Sequence, residues 1–259
     1  MTVRLDLWSP SAATDAAWVA ASDVAELARR LDITYRLVGG IAVTLLTHVH
    51  GVDDRVPERE TADADMGVPR QVLADTDLVG ALRDLNYTQE ESNRFRRSDG
   101  RDAVIDVLTV SQRDRRVESE AFGDLTVGAI PGMHAAMMLP ATGVDVRAHL
   151  RDGTELAMAL DVTDVRAALV MKAYAYRLRF GANDARDVWR LLEAADGAGH
   201  TAEDWPTAAG ARAAARHLWE FFGQPGGSGA AAASRRPADQ ARIRLLTMKL
   251  VPRVQPGRR

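Results

Sequence analysis

Residues 35–69 read YRLVGGIAVTLLTHVHGVDDRVPERETADADMGVP, and the reading of this stretch decides the fold. With the preceding Asp-Ile-Thr, its first residues are β-branched and aromatic, the composition of a strand, and Gly39-Gly40 stops it. The apolar run IAVTLLTHVH suits strand or helix by periodicity alone; a strand, a glycine turn and a helix make a common α/β unit, which favours helix. GVDDRVPERE is polar, with Gly and Pro, and reads as a loop. TADADMGV is then the next strand, carrying Asp63 and Asp65. Residues i and i+2 of a strand share a face, so these two carboxylates project side by side.

Working outward, residues 11–31 repeat apolar positions at helical spacing without Pro or Gly, which predicts a helix. A further helix is expected over 70–85, with Pro69 in its first turn. SNRFRRS and DAVIDVLTV alternate around a Ser-Asp-Gly turn and predict a β-hairpin. Residues 111–160 are mixed, with a short strand near TELAMAL. Three helices are expected near 164–180, 184–195 and 206–222, Gly181 ending the first and Asn183 capping the second. GQPGGSGAAAASRRP reads as a low-complexity linker. The fold class is α/β in the broad sense (α+β), with a mixed sheet. The expected division is an N-terminal lobe over 1–160, a helical lobe over 161–223, and a linker with a basic tail over 224–259.

The chain has 259 residues, 46% hydrophobic and 27% charged, the mix of a soluble globular protein. No run approaches the ~20 apolar residues of a membrane helix, and MTVRLDLWSP does not read as a signal peptide. No membrane role and a cytoplasmic location are therefore expected. The absence of cysteine excludes disulfides, a thiol nucleophile and Cys-based zinc sites. A metal site must use Asp, Glu and His, which favours magnesium or manganese. From Ser234 onward eight Lys and Arg face Asp239 alone, although the chain's net charge is −3. That tail is either a solvated terminus or a contact for an anionic partner such as nucleic acid.

On a buried face, Asp63 and Asp65 would raise each other's pKa and lose hydration, and a divalent cation relieves both problems. At a sheet edge they would face water. Asp106 adds a third carboxylate inside the apolar AVIDVLTV, where a charge is out of place. It is either the third ligand of a two-metal site for phosphoryl or nucleotidyl transfer, or a structural aspartate satisfied by an arginine of RFRR. Gly39-Gly40 before a helix is either a plain turn or a close-approach site for phosphate. Lys172, within ALVMKAYAY, either snorkels to solvent or aims at a phosphate. Arg179 could serve the same phosphate or pair with Asp184, and Asp184 and Asp187 open a helix, where acids suit the dipole. His48 and His50 diverge on a helix and lack a His-Glu-x-x-His pattern, and neither a P-loop nor a G-x-S-x-G turn is present.

Taken together, Gly39-Gly40, Asp63-x-Asp65 and Asp106 resemble the nucleotidyltransferase superfamily named for polymerase beta. VMKAYAYRLRFGANDARDVWRLL looks like the C-terminal motif of its AbiEii/AbiGii toxin branch, which includes the MenT-like toxins; the matching residues are Lys172, Ala175, Arg179, Asp184 and Asp187. The resemblance runs from about Thr34 to Leu192. It implies a bilobed enzyme that transfers a nucleotide from an NTP to an acceptor. Asp63, Asp65 and Asp106 would bind Mg2+ or Mn2+, with Asp106 also taking the acceptor's proton. Gly39, Gly40, Lys172, Arg179 and Asp187 would hold the nucleotide. The implied acceptor is RNA, with the tRNA 3′ end favoured, and the implied partner is a cognate antitoxin. The basic tail and Arg94, Arg96 and Arg97 are candidate RNA contacts. Two features depart from the pattern: Gly-Gly replaces the superfamily's usual Gly-Ser, and the gap from Gly40 to Asp63 is long. An antibiotic-type enzyme with a small acceptor and a non-catalytic binding member are the alternatives.

Overall fold

The strand–glycine–helix unit organises the molecule. In the computed structural model, which describes residues 2–91, 93–97, 99, 102–111, 117–122 and 125–254, β2 (Arg36–Val38) runs straight into α2 (Gly39–Val49). Gly39 and Gly40 are thus the first residues of the helix rather than a separate turn. Gly39 takes φ +73, which a residue with a Cβ adopts only under strain. After a 3₁₀ turn at Asp53–Arg55 and the polar segment that follows, β3 (Asp63–Val68) returns antiparallel to β2.

Upstream lie β1 (Val3–Trp8), which the sequence pattern had not indicated, and α1 (Ala12–Leu31). The Ser11 hydroxyl accepts from the Thr14 N–H at 3.2 Å and starts α1, and Trp18, Val24 and Leu27 bury its inner face. The helix expected over 70–85 is two helices, α3 (Arg70–Asp75) and α4 (Leu78–Asp84). Thr76 is extended between them, and Asp77 caps α4 by accepting from the Gly80 N–H at 2.8 Å. Pro69 occupies the position before α3, outside its first turn.

β4 (Tyr87–Glu91) and β5 (Arg94–Arg97) precede β6 (Val104–Val110). The expected hairpin is β5 and β6, although Ser98 and Gly100 of its turn lie outside the described residues. Region 111–160 contains β7 (Val117–Phe122), β8 (Leu125–Ile130), α5 (Met133–Met138), β9 (Thr142–His149) and β10 (Glu155–Val162). The strand expected at TELAMAL is β10. Among the described residues the strands join one mixed sheet, eight of them in the order β1-β9-β10-β2-β3-β6-β5-β4. β8 pairs in parallel with the second half of β6, where β5 has ended, and β7 pairs with β8.

The chain then becomes helical: α6 (Val165–Arg179), α7 (Ala182–Gly197), α8 (Ala211–Leu218) with a π-helical turn at Trp219–Gly223, α9 (Ser228–Ala233) and α10 (Pro237–Leu250). Phe180, at φ +51, ends α6; Gly181 is the N-cap of α7, and Asn183 lies inside that helix. The segment read as linker and basic tail instead supplies α9 and α10. Its alanine run is a strong helix former, and Ile243, Leu246 and Leu250 form a buried stripe. Arg242 donates to Glu193 at 2.8 and 3.0 Å and to Asp196 at 2.9 Å, and Lys249 also pairs with Asp196, which fastens α10 to α7. Arg258 and Arg259 lie outside the described residues. Among the described residues, no helix is long and apolar enough to cross a membrane.

Candidate active site

Strand register brings the expected acids together. Val38 of β2 is paired with Asp65 of β3, Asp65 with Asp106 of β6, and Asp106 with Arg94 of β5. Asp65, Asp106 and Arg94 therefore stand in a row across three adjacent strands, on one face of the sheet. Asp63, two residues before Asp65, shares that face. Its carboxylate accepts from the Thr61 hydroxyl at 2.9 Å.

The row forms one wall of a cavity of about 770 Å³. Gly39 and Gly40 line its floor, and α6 and the start of α7 supply Lys172, Arg179, Phe180 and Asp184. The Asp65 carboxylate packs directly on the helix start: a Cβ at Gly39 would lie 1.6 Å from Asp65 Oδ2. A Cβ at Gly40 would lie 2.6 Å from Arg59 Nη1 and 2.7 Å from Thr61 Oγ1, so these two side chains fill the space a serine at 40 would need.

The opposite wall is cationic. Lys172 Nζ lies 2.7 Å from Asp187 Oδ2 and 3.6 Å from Asp184 Oδ1. Arg179 donates to both Asp184 oxygens, at 2.8 and 2.9 Å. Burial pushes Asp184 up, but the hydrogen bonds from Arg179 and the charge of Lys172 outweigh it and hold its carboxyl below the usual range. Asp187 is fully buried, behind Lys172. It acts on the cavity through the cations it holds rather than as part of the lining.

Asp65 carries the electrostatic strain of the site. Its pKa is pushed up to about 7, first by burial and then by Asp63 and Asp106. Arg94 partly offsets the cluster, with Nη1 3.4 Å from Asp106 Oδ2 and Nη2 3.8 Å from Asp63 Oδ2. The alternative of an Asp106 served by an arginine of RFRR is thus realised in part, at a long distance. Among the described residues, no three His, Asp or Glu are drawn together as a ready metal cage. The donor set still fits a hard divalent cation: three carboxylates face one cavity, and the one held nearest neutrality is the one that such a charge would ionise. Asp63, Asp65 and Asp106 are the residues that would hold it.

Three residues carry roles that the sequence reading did not give them. Arg59, from the segment read as a loop insertion, lies in the cavity wall. Arg94, grouped with Arg96 and Arg97 as an RNA contact, faces the acids instead. The alternation of the hairpin around Asp106 could have found it. Arg96 pairs with Glu90 and Asp102, and Arg97 turns inward to Asp23 and Asp99, so the three do not form one basic patch. Phe180, 55% exposed, stands at the rim beside Leu178 and Arg177, and its ring rests edge-on against Tyr176 and Phe221. Compared with protein-family models, curated proteins and solved structures, the chain matches none.

Proposed function

We propose that this chain is a metal-dependent nucleotidyltransferase that moves a nucleotide from an NTP to an RNA acceptor, the tRNA 3′ end being the favoured one. The observation that carries the reading is the register row: Asp65 and Asp106 are paired neighbours, with Asp63 on the same face, and all three line one cavity with Gly39, Gly40 and Lys172. Carboxylates dominate the sheet wall, where Arg94 stands among them, and cations dominate the helical wall, where Asp184 pairs with two of them. That arrangement suits a polyphosphate bound together with a divalent cation.

In this reading Asp63, Asp65 and Asp106 hold Mg2+ or Mn2+. When bound, the ion would supply charge stabilisation to the transferring phosphate. The first turn of α2 and Lys172 receive the triphosphate, since free backbone N–H groups and the helix dipole favour an anion there. Asp106, which lines the cavity with its side chain 13% exposed and is paired in register with Asp65, is suited to accept the proton of an attacking hydroxyl. The exposed Phe180 and Arg177 at the rim favour a polynucleotide over a small acceptor, because an aromatic face stacks bases and a cation meets their phosphates. Action as a toxin held by a cognate antitoxin is part of the same proposal and rests on the resemblance of the Lys172–Asp187 motif.

The test is transfer of label from each α-labelled NTP to total tRNA with Mg2+ or Mn2+. A labelled RNA band, lost in Asp65→Asn, is the expected result. Label appearing only in a small product would move the acceptor to the antibiotic type. No transfer to any acceptor, with growth inhibition undiminished in Asp65→Asn, would reject catalysis in favour of a binding role.

A further inference from the structure

Arg59 reaches the cavity from the polar segment between α2 and β3. Its Nη1 lies 3.0 Å from Asp187 Oδ2 and sits against the first turn of α2, where it would touch any side chain at Gly40. Two features make this position unusual. A guanidinium beside a helix N-terminus meets the positive end of the dipole, which repels it. The Asp187 oxygen it pairs with is also shared, since Lys172 lies 2.7 Å from it, while the other oxygen has Arg190 Nη1 at 4.0 Å and no hydrogen-bond partner among the described residues. Arg190 is itself buried, donates from Nη2 to Thr44 on α2 at 3.3 Å, and has no hydrogen-bond partner at Nε or Nη1.

Neutralising Asp187 therefore does not require Arg59. On this wall Arg59, Lys172, Arg179 and Arg190 face Asp184 and Asp187, with the exposed Glu58 nearby acting on Arg190. The cations outnumber the buried acids by two. That surplus lies on the helical wall, with Arg179 half-exposed and the Asp65 carboxylate packed on the same helix start, so the wall suits a multiply charged anion that arrives with a divalent cation for the acids opposite.

We infer that Arg59 binds the phosphate chain of the incoming nucleotide together with Lys172, and that Asp187 is the positioning residue holding both cations over the α2 N-terminus. This rests on the nucleotidyltransferase reading for the identity of the anion. Arg59 Nη1 and Thr61 Oγ1 occupy the space beside Gly40 in the first turn of α2. Arg59 thus supplies a donor there from a neighbouring segment rather than from the glycine turn itself.

The experiment is calorimetric titration of the full chain, in Mg2+, with inorganic tripolyphosphate, an NTP and the matching NMP. Wild type, Arg59→Ala and Arg59→Lys are compared. The expected result is wild-type binding of tripolyphosphate and NTP, both weakened about tenfold or more in Arg59→Ala and partly restored in Arg59→Lys, with NMP much less affected. An unchanged tripolyphosphate affinity in Arg59→Ala overturns the inference. So does an equal loss for NTP and NMP, the signature of a merely structural role. Should Arg59→Ala fail to fold, the same comparison is made with Arg59→Gln, where unchanged tripolyphosphate affinity again overturns it. Wild type that binds tripolyphosphate through Arg59 yet transfers nothing to any acceptor would sink the enzymatic reading and leave the anion site standing. Wild type that binds neither anion would sink both.

Discussion

Gly39 and Asp65 define the site at the scale of single residues. Gly39→Ala meets a positive φ and a carboxylate oxygen where its Cβ must go. The expected cost is about 2–4 kcal/mol in urea unfolding, with loss of any transfer activity. An unchanged midpoint would mean that Asp65 swings away freely. Asp65 makes a second prediction. Its folded pKa of about 7 lies above the ordinary 3.8, so its contribution to stability is intact at low pH and is lost as the pH rises from about 4 to 7. Asp65→Asn abolishes that loss. At pH 8 without divalent ions the variant is expected to melt roughly 2–8 °C above wild type, and the gap should shrink at pH 5. Magnesium at pH 8 should raise the wild-type melting temperature and leave the variant unmoved. Scanning calorimetry decides it, and a variant melting lower at pH 8 contradicts the strained cluster. The three acids were legible because a carboxylate inside an apolar strand is conspicuous. Arg59 was not, because an arginine in a polar loop carries no local mark of where it points.

Elements were legible wherever periodicity was long and uninterrupted. α1, β6, α6 and α7 follow from spacing, and β2 from its β-branched and aromatic composition and its glycine stop. The errors have local physical causes. A single capping aspartate, Asp77, divides the 70–85 helix. The six-residue β1, as long as β3, alternates apolar and charged residues in VRLDLW and was legible in principle. Composition concealed α9 and α10, because glycine, serine and arginine surround an alanine run and a three-residue apolar stripe. α10 yields a prediction of its own: Leu246→Ala, at a buried position, is expected to cost about 2–4 kcal/mol. Ending the chain after Gly223 should expose α7 to protease and lower helical circular dichroism by more than the missing residues contribute, since Glu193 and Asp196 lose Arg242 and Lys249. A truncated chain that melts like the whole would show α10 to be an appendage.

Across the whole molecule, the sheet half presents carboxylates and the helical half presents cations to a common space. Charge of both signs is needed to fill it. Mg2+ and NTP together should therefore raise the melting temperature by more than the sum of their separate effects. Additive effects in a thermal-shift titration would mean that the two walls act independently. The sequence pattern conveyed the mixed sheet and the helices but not this opposition, which depends on the register of β3 against β6 and on how α6 lies over α2.

β1 pairs in parallel with β9, Val3 against Val144. β1 must therefore wait, unpaired, until β9, well over a hundred residues further along the chain, has been made. Because distant parallel pairings form slowly, the nascent VRLDLW segment is a sticky edge throughout synthesis. Closure of that edge is consequently a late event, whereas β3 and β6, which align Asp65 with Asp106, can pair without it.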